Sequence, residues 1–272
     1  MDQNQISKPL SNAQLQSIHE LVDEVGEKQL QDFGQINSSI KPDGTLITEC
    51  DRWSDKKIVN GLDKIVKGEG VLSEEGNKSI PSSSEYWVVD PLDGTTNFAA
   101  GIPYWAISIA RFTNGQPETA FLDIPALNKR IVAIRGKGVW LNHKPLNPKS
   151  RFKKNSDCIS LCSRSIKVLQ MKPEQPFPGK IRLLGVSSLN MTSVAMGQTI
   201  AALEATPKIW DIAAAWLILE ELNCLIKWLE THPKDIHPGK DLTSVNFPLL
   251  TASSEDQLNK MLPWAIALIN KN

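Results

Sequence analysis

The chain is short of the residues that most often announce chemistry. Its four cysteines, Cys50, Cys158, Cys162 and Cys224, make neither a zinc pattern nor a disulfide framework, so they read as buried free thiols in a reducing compartment. Cys158 and Cys162 fall in a strand-like segment, where a period of two sets both side chains on one face. Of the four histidines, His232 and His237 flank a Pro-rich loop, THPKDIHPG, which suits solvation better than metal binding. There is no excess of either charge: 30 Lys and Arg balance 30 Asp and Glu, so no global field favours nucleic acid or an anionic membrane. A protein with this balance attracts anions only locally, through metals or helix termini. No apolar run approaches the roughly 18 residues of a membrane span. The first residues, MDQNQISKPLSNAQLQ, have no apolar core, so a signal peptide is not expected and a cytoplasmic location is. Internal repeats and low-complexity tracts are also missing.

What is present alternates helix and strand. Leu15, Ile18, Leu21, Val22, Val25 and Leu30 recur at helical spacing and predict a helix over 11–33. The polar stretch GQINSSIKPDGT holds a Pro-Asp-Gly turn and reads as a mobile loop over 34–45. A second helix starts at Thr48 or Glu49 and runs to about 66. The span 71–135 reads as strand-rich, with strands at 71–73, 86–89, 105–112, 118–123 and 130–135, followed by 138–141. Strands near 157–162, 181–184 and 200–204 then alternate with helices near 187–197 and 210–222, before a last helix over 255–270. That order indicates a layered α/β sandwich. A basic, Pro-containing stretch at 147–155 marks a join between an N-terminal half, 1–148, and a C-terminal half, 149–272, packed as one compact unit.

The most informative stretch is WVVDPLDGTTNF at 87–98. A buried strand, 86–89, runs into two carboxylates, Asp90 and Asp93, and then into a Gly-Thr-Thr turn able to open a helix. Acids at a strand end beside free N–H groups suit a hard cation and a phosphate held side by side. The plain alternative is a turn in which Asp93 or Thr95 caps a helix. Two further acidic places compare with it: Glu74-Glu75 after the preceding strand, and Asp211 at the start of an apolar helix. Asp211 taken alone also reads as a cap, and Asp51 as an acid suited to a first helical turn. Grouped carboxylates repel unless cations neutralise them. An all-oxygen set selects Mg²⁺, Ca²⁺ or Mn²⁺.

GVLSEEG, WVVDPLDGTTNF, WDIAAAW and KPDGTLITECD (41–51) together resemble the motifs of the inositol monophosphatase family, magnesium-dependent and lithium-sensitive, over about residues 10–222. The resemblance implies an α/β (α+β) fold, the layered α-β-α-β-α sandwich of the inositol monophosphatase and fructose-1,6-bisphosphatase type. It implies a phosphoric monoester hydrolase, most specifically an inositol-1-phosphate phosphatase in which a metal-activated water attacks directly. Glu74, Asp90, Asp93, Asp211 and the Leu92 carbonyl match its metal ligands. Thr95 and Asp51, with Glu74, match the groups that activate the water. Gly94, Thr95, Asp93, Gly185, Val186, Ser187, Glu204 and Asp211 match positions that line the substrate, and Lys41 and Glu75 a possible loop with a third metal. Two or three Mg²⁺ ions are implied, with Mn²⁺ as a substitute and Ca²⁺ and Li⁺ as inhibitors. The partner is a small phosphate monoester, with neither nucleic acid nor membrane, in a homodimer.

Departures from the family pattern fall mostly on the substrate side. Glu-Glu-Leu-Asn at 220–223 stands where Glu-Ala-Gly-Gly is common, Ala215 where glycine is, and Val186-Ser187-Ser188 where Ser or Thr precedes small residues. Lys208 and the loop 230–240 are distinctive, and the resemblance fades beyond Asn223. Glu204 reads either as an acceptor for vicinal hydroxyls or as a surface charge at a strand end. Branches acting on histidinol phosphate, sugar phosphates or nucleotide phosphates share most of these motifs. A catalytically silent metal- or phosphate-binding homologue is the reading from another class, and the completeness of the acidic set weighs against it. No EF-hand spacing supports a calcium module.

Overall fold

A computed structural model describes residues 9–35, 38–41, 44, 46–147 and 157–270. Helix α1 (Asn12–Asp32) opens with a capping box in which Ser11 and Gln14 satisfy each other. A short hairpin, β1 (Ser38–Ile40) against β2 (Leu46–Thr48), occupies the segment expected as a loop. Of the Pro42-Asp43-Gly44 turn only Gly44 is among the described residues, and its N–H donates to Lys41 O at 2.9 Å. Helix α2 (Glu49–Ile65) follows, with Thr48 as its N-cap.

Next comes a seven-stranded sheet: β3 (Gly70–Ser73), β4 (Glu85–Asp93), β5 (Ala106–Thr113), β6 (Gln116–Ile124), β7 (Lys129–Ile134), β8 (Gly138–Leu141) and β9 (Lys144–Pro145), neighbours in that order. Only β3 and β4 run parallel. A short helix, α3 (Thr95–Ala99), lies between β4 and β5. The second sheet orders its strands β11 (Lys180–Arg182), β10 (Cys158–Leu161), β12 (Ala201–Glu204), β14 (Leu249–Ala252) and β13 (Leu225–Trp228). Around it lie α4 (Val168–Met171), α5 (Ser187–Ala195), α6 (Ile209–Glu221) and α7 (Glu255–Ile269).

The period of two along β4 explains the layering. Trp87 and Val89 point to one side, where they pack with Ile18, Val22, Val25, Ile58 and Leu62 of α1 and α2. Tyr86 and Val88 point to the other, into a core shared with α5 and α6. Beyond that middle layer, Ala202 and Leu249 of the second sheet face inward, while Ile159, Leu203 and Leu250 face Trp264 and Leu268 of α7. The result is the expected α-β-α-β-α sandwich. Helix α6 is apolar nearly all round because sheets cover it on both sides, and Ala215 is fully buried there.

Several boundaries differ from the sequence reading. The acidic residues lie within β4, which continues through Asp93 instead of ending at 89. Pro91 is tolerated there because pairing to β5 is irregular between Asp90 and Asp93. Strands β13 and β14 have no counterpart among the expected elements, because their apolar residues lack polar alternation. The stretch 147–155 lies, apart from Asn147, outside the described residues. Among the cysteines, Cys50 and Cys224 are buried, but Cys158 and Cys162 are only partly so, since β10 ends at Leu161 and leaves Cys162 at a cleft. His237 is exposed, as expected, whereas His232 is half-buried, its ring 5.1 Å from Trp228 and 5.8 Å from Trp216. Among the described residues no helix is long and apolar enough to cross a membrane.

Candidate active site

Strand β4 delivers two acids to one place by breaking its own alternation. In a regular strand Asp90 and Asp93 would point to opposite faces. The irregular pairing around Pro91 and Leu92 turns the chain so that both reach the same point. There they meet Asp211, which α6 presents from its first turn. One carboxylate oxygen from each of Asp90, Asp93 and Asp211 lies within 4.8 Å of the others. Asp90 also accepts the Leu92 N–H at 3.0 Å, Asp93 the Ser188 N–H at 2.7 Å, and Asp211 the Lys208 N–H at 2.7 Å. Asp211 is thus not the N-cap that one reading of the sequence made it: Lys208 holds that position, and Asp211, three residues in, accepts the cap N–H without leaving the cluster.

Among the described residues no ion pair reaches these three acids. Burial pushes the Asp90 carboxyl well above the usual carboxylate range, and the charges of Glu74, Asp93 and Asp211 push it further. Asp211 is raised by burial and by Asp93 and Glu74. Asp93 is raised by burial to about 6, even though Ser188 hydrogen bonds pull it down. An all-oxygen donor set this short of positive charge fits a hard divalent cation.

Glu74 and Glu75 follow β3, parallel to β4, so both acidic pairs sit at the carboxyl ends of neighbouring strands. Glu74 is not one of the three converging acids. Lys41 Nζ donates to Glu74 at 2.8 Å and to Glu75 at 2.5 Å. Burial opposes the charge on Lys41, but the two glutamates outweigh it and hold the ammonium above its ordinary range. Burial raises Glu75 to about 7, aided by Glu74 and countered by Lys41.

Thr95 and Asp51 meet as expected. Thr95 Oγ1 donates to Asp51 Oδ1 at 2.7 Å, with the Leu92 carbonyl at 3.2 Å as a second acceptor. The other Asp51 oxygen takes the Thr48 N–H at 2.8 Å and the Thr48 hydroxyl. One carboxylate thus serves both the helix cap and Thr95. Gly94 enters α3 at φ +103°, and a Cβ there would come within 2.8 Å of Val186.

Glu204 ends β12 and is 1% exposed, which overturns its reading as a surface charge. Ser187 donates to one oxygen at 2.9 Å and Asn190 to the other at 2.8 Å. Burial nonetheless raises its pKa to about 7. Together with Gly185, Val186, Cys162, Arg164 and Asp211 it lines a cleft of about 270 Å³. Two larger hollows, of about 560 and 400 Å³, lie along α1 and hold none of the converging acids.

Four contributors were missed in the sequence. Thr48 carries the Thr-x-x-Asp capping pattern that flags its bond to Asp51. Asn190 sits three residues after Ser187 on α5, hence on the same face. Asn97 donates to the carbonyls of Tyr104 and Leu184, fixing the entry to Gly185, and Ser188 meets Asp93 through its backbone. Asn97 falls inside the 87–98 motif, whereas the backbone bond of Ser188 has no sequence signal.

The sequence profile described as the inositol monophosphatase family matches residues 3–256, past the point where the motifs fade. An inositol-1-monophosphatase of Mesorhizobium japonicum is 30% identical over 228 residues, covering 80% of this chain and 83% of the relative. A histidinol-phosphatase of Mycobacterium tuberculosis is 31% identical over 213 residues, 74% of this chain and 82% of the relative. A crystallised IMPase/NADP phosphatase complexed with Mg²⁺ and phosphate superposes with a TM-score of 0.73 at 25% identity, covering 95% of this chain and 97% of that one. The chain therefore belongs to the inositol monophosphatase family and is a phosphoric monoester hydrolase.

Proposed function

We propose that the chain is a Mg²⁺-dependent phosphatase of polyol monophosphates, with inositol 1-phosphate as its best substrate. The observation that carries this reading is the meeting of Asp90, Asp93 and Asp211 within 4.8 Å beside the Thr95–Asp51 pair. Asp90, Asp93, Asp211 and Glu74, with the Leu92 carbonyl, would hold the metal. When bound, such ions acidify water and neutralise charge on the phosphate oxygens.

The remaining work falls to the protein. Because the Thr95 hydroxyl gives its own proton to Asp51, its lone pairs face outward and can accept the proton of an attacking water. Thr48 holds Asp51 in place for that exchange. The N–H groups of Gly94 and Thr95 are free of helical partners and would orient the phosphate. Glu204, fixed by Ser187 and Asn190, retains lone pairs for vicinal hydroxyls of the leaving alcohol. A second reading, histidinol phosphate, is favoured by the same residue, since a buried carboxylate also suits an ammonium group.

Phosphate release in Mg²⁺ from inositol 1-phosphate, histidinol phosphate, fructose 1,6-bisphosphate and adenosine 3′,5′-bisphosphate tests the choice. Inositol 1-phosphate ranking far below another monoester would overturn the specific reading. Direct attack by water inverts a chiral phosphate, so retention or a trapped phosphoenzyme would overturn the mechanism. Inhibition by Li⁺ and Ca²⁺ is expected in the same assay.

A further inference from the structure

The distinctive C-terminal loop reaches both walls of the acidic site. On one side it pairs with the segment that follows the turn carrying the glutamates. Ser73 N–H donates to Asn77 O at 2.8 Å, closing the turn around Glu74 and Glu75. Residues 78–80 then pair with residues 239–242: Gly239 N–H to Ile80 O at 2.8 Å, Ile80 N–H to Lys240 O at 3.0 Å, and Leu242 N–H to Lys78 O at 3.0 Å. Ser79 and Asp241 form an antiparallel bridge at its centre. On the other side the same loop is tied to the start of α6. Lys208 Nζ donates to the carbonyls of Thr243 at 2.7 Å and Val245 at 3.2 Å, and Phe247 N–H donates to Pro207 O at 2.9 Å. Three residues on from Lys208 stands Asp211, bonded to the Lys208 N–H. Leu242 and Phe247 anchor the loop in the core, and Lys78 Nζ lies 5.7 Å from the Trp210 ring.

Lys208 is the N-cap of α6, where the helix dipole disfavours positive charge. Its side chain donates to two carbonyls of the loop, a charge-assisted tie that a shorter or apolar residue would lack.

We infer that residues 239–245 act as a strap that sets the separation between Glu74 and Asp211, with Lys208 as its positioning residue. These two acids arise from different layers, and the strap is hydrogen-bonded to the segment that directly follows the turn carrying Glu74 and to the start of the helix carrying Asp211. The divergent C-terminal segment is then a determinant of metal affinity, separate from the Glu204 cleft that selects the alcohol. The inference rests on the metal reading of the acidic cluster.

The experiment is a Mn²⁺ titration of the metal-free full chain, followed by electron paramagnetic resonance, for wild type, Lys208→Met, Lys208→Arg and Asp241→Ala. Every variant keeps the backbone N–H that bonds Asp211. Lys208→Met should weaken Mn²⁺ binding by about tenfold, the scale of lost support behind a ligand, and Lys208→Arg should recover most of it. KM for the monoester at saturating Mg²⁺ should stay within about twofold, a separation that general loosening of the fold would not give. Asp241→Ala covers the case in which Lys208→Met folds poorly. The Asp241 side chain is exposed and accepts only the Thr243 N–H and hydroxyl, and its loss should move Mn²⁺ affinity in the same direction. Unchanged Mn²⁺ affinity in Asp241→Ala and in a folded Lys208→Met would overturn the strap alone. A wild-type chain that binds no Mn²⁺ would overturn the metal reading and the strap with it.

Discussion

Two acidic regions stand side by side at the ends of β3 and β4, and they handle their charge in opposite ways. Glu74 and Glu75 carry their own counterion, Lys41, within hydrogen-bonding distance of both. Asp90, Asp93 and Asp211 have none among the described residues: burial, with neighbouring carboxylates behind it, raises all three, whereas at Glu75, also raised by burial, Lys41 pulls the other way. In the first region Lys41 offsets part of the charge, and Glu74 still presses on Asp90 and Asp211. The second is a stored repulsion that a cation relieves, so folding energy is exchanged there for binding energy.

The sharpest way to break this contrast is Asp93→Asn. It should cut kcat/KM by roughly 10³-fold, the order seen when a preorganised electrostatic group is removed, while raising the Tm of the metal-free protein. A variant that kept full activity would show that released phosphate came from another source. Next in size is Thr95→Ala, which removes the proton partner and leaves the charges alone. Its kcat should fall on the order of 10²–10⁴-fold, with Mn²⁺ affinity unchanged in a direct titration.

A third expectation concerns pH. The folded pKa of Asp93, about 6, lies above its ordinary 3.8, and that of Glu204, about 7, lies above 4.5. Between those values the native state binds more protons than the unfolded chain, so metal-free stability should fall as pH rises from about 4 to about 7. Thermal melts in a chelator should show the slope, and saturating Mg²⁺ should flatten it. The smallest effect is expected from Lys41→Met. Taking away the built-in cation makes the first region resemble the other. Mg²⁺ dependence should then move by a few fold, on the scale of a partly exposed ion pair, and a Mn²⁺ titration should reveal an additional weak site. No added binding would separate Glu75 from any metal role.

Much of this was legible because the informative residues are local. Trp87 through Phe98 carries its strand, its acids and its turn in one stretch, and Thr48 with Asp51 spells a capping box. What stayed hidden depends on chain reversal. That Glu204 is buried follows from β14 pairing beside it, and β14 has no alternation to betray it. The mating of Ser188 N–H with Asp93 spans 95 positions and uses a backbone group common to nearly every residue. The departures at 220–223 also read differently in place. Glu221 accepts the Gly136 and Gly138 N–H groups at 2.8 and 3.0 Å, and Glu220 bonds Arg135 and Trp216. Glu221, which stands where the family pattern has alanine, latches α6 to the β7–β8 turn.

The irregular pairing between Asp90 and Asp93 has a consequence for how the site can change over time. Which acid stands at either position is a matter of one codon, and isosteric or longer replacements leave the scaffold able to present them. The number of residues between them is another matter. Deleting either Pro91 or Leu92 would take out the irregular step and draw Gly94 and Thr95 one residue back along the strand, breaking the reach of Thr95 to Asp51, and no second substitution nearby restores it. Mutational scans should therefore tolerate insertions at the exposed positions 237–238, ahead of the strap, and reject every single-residue length change at 90–93. The site's handedness is inherited through chain length, and only its strength through side chains.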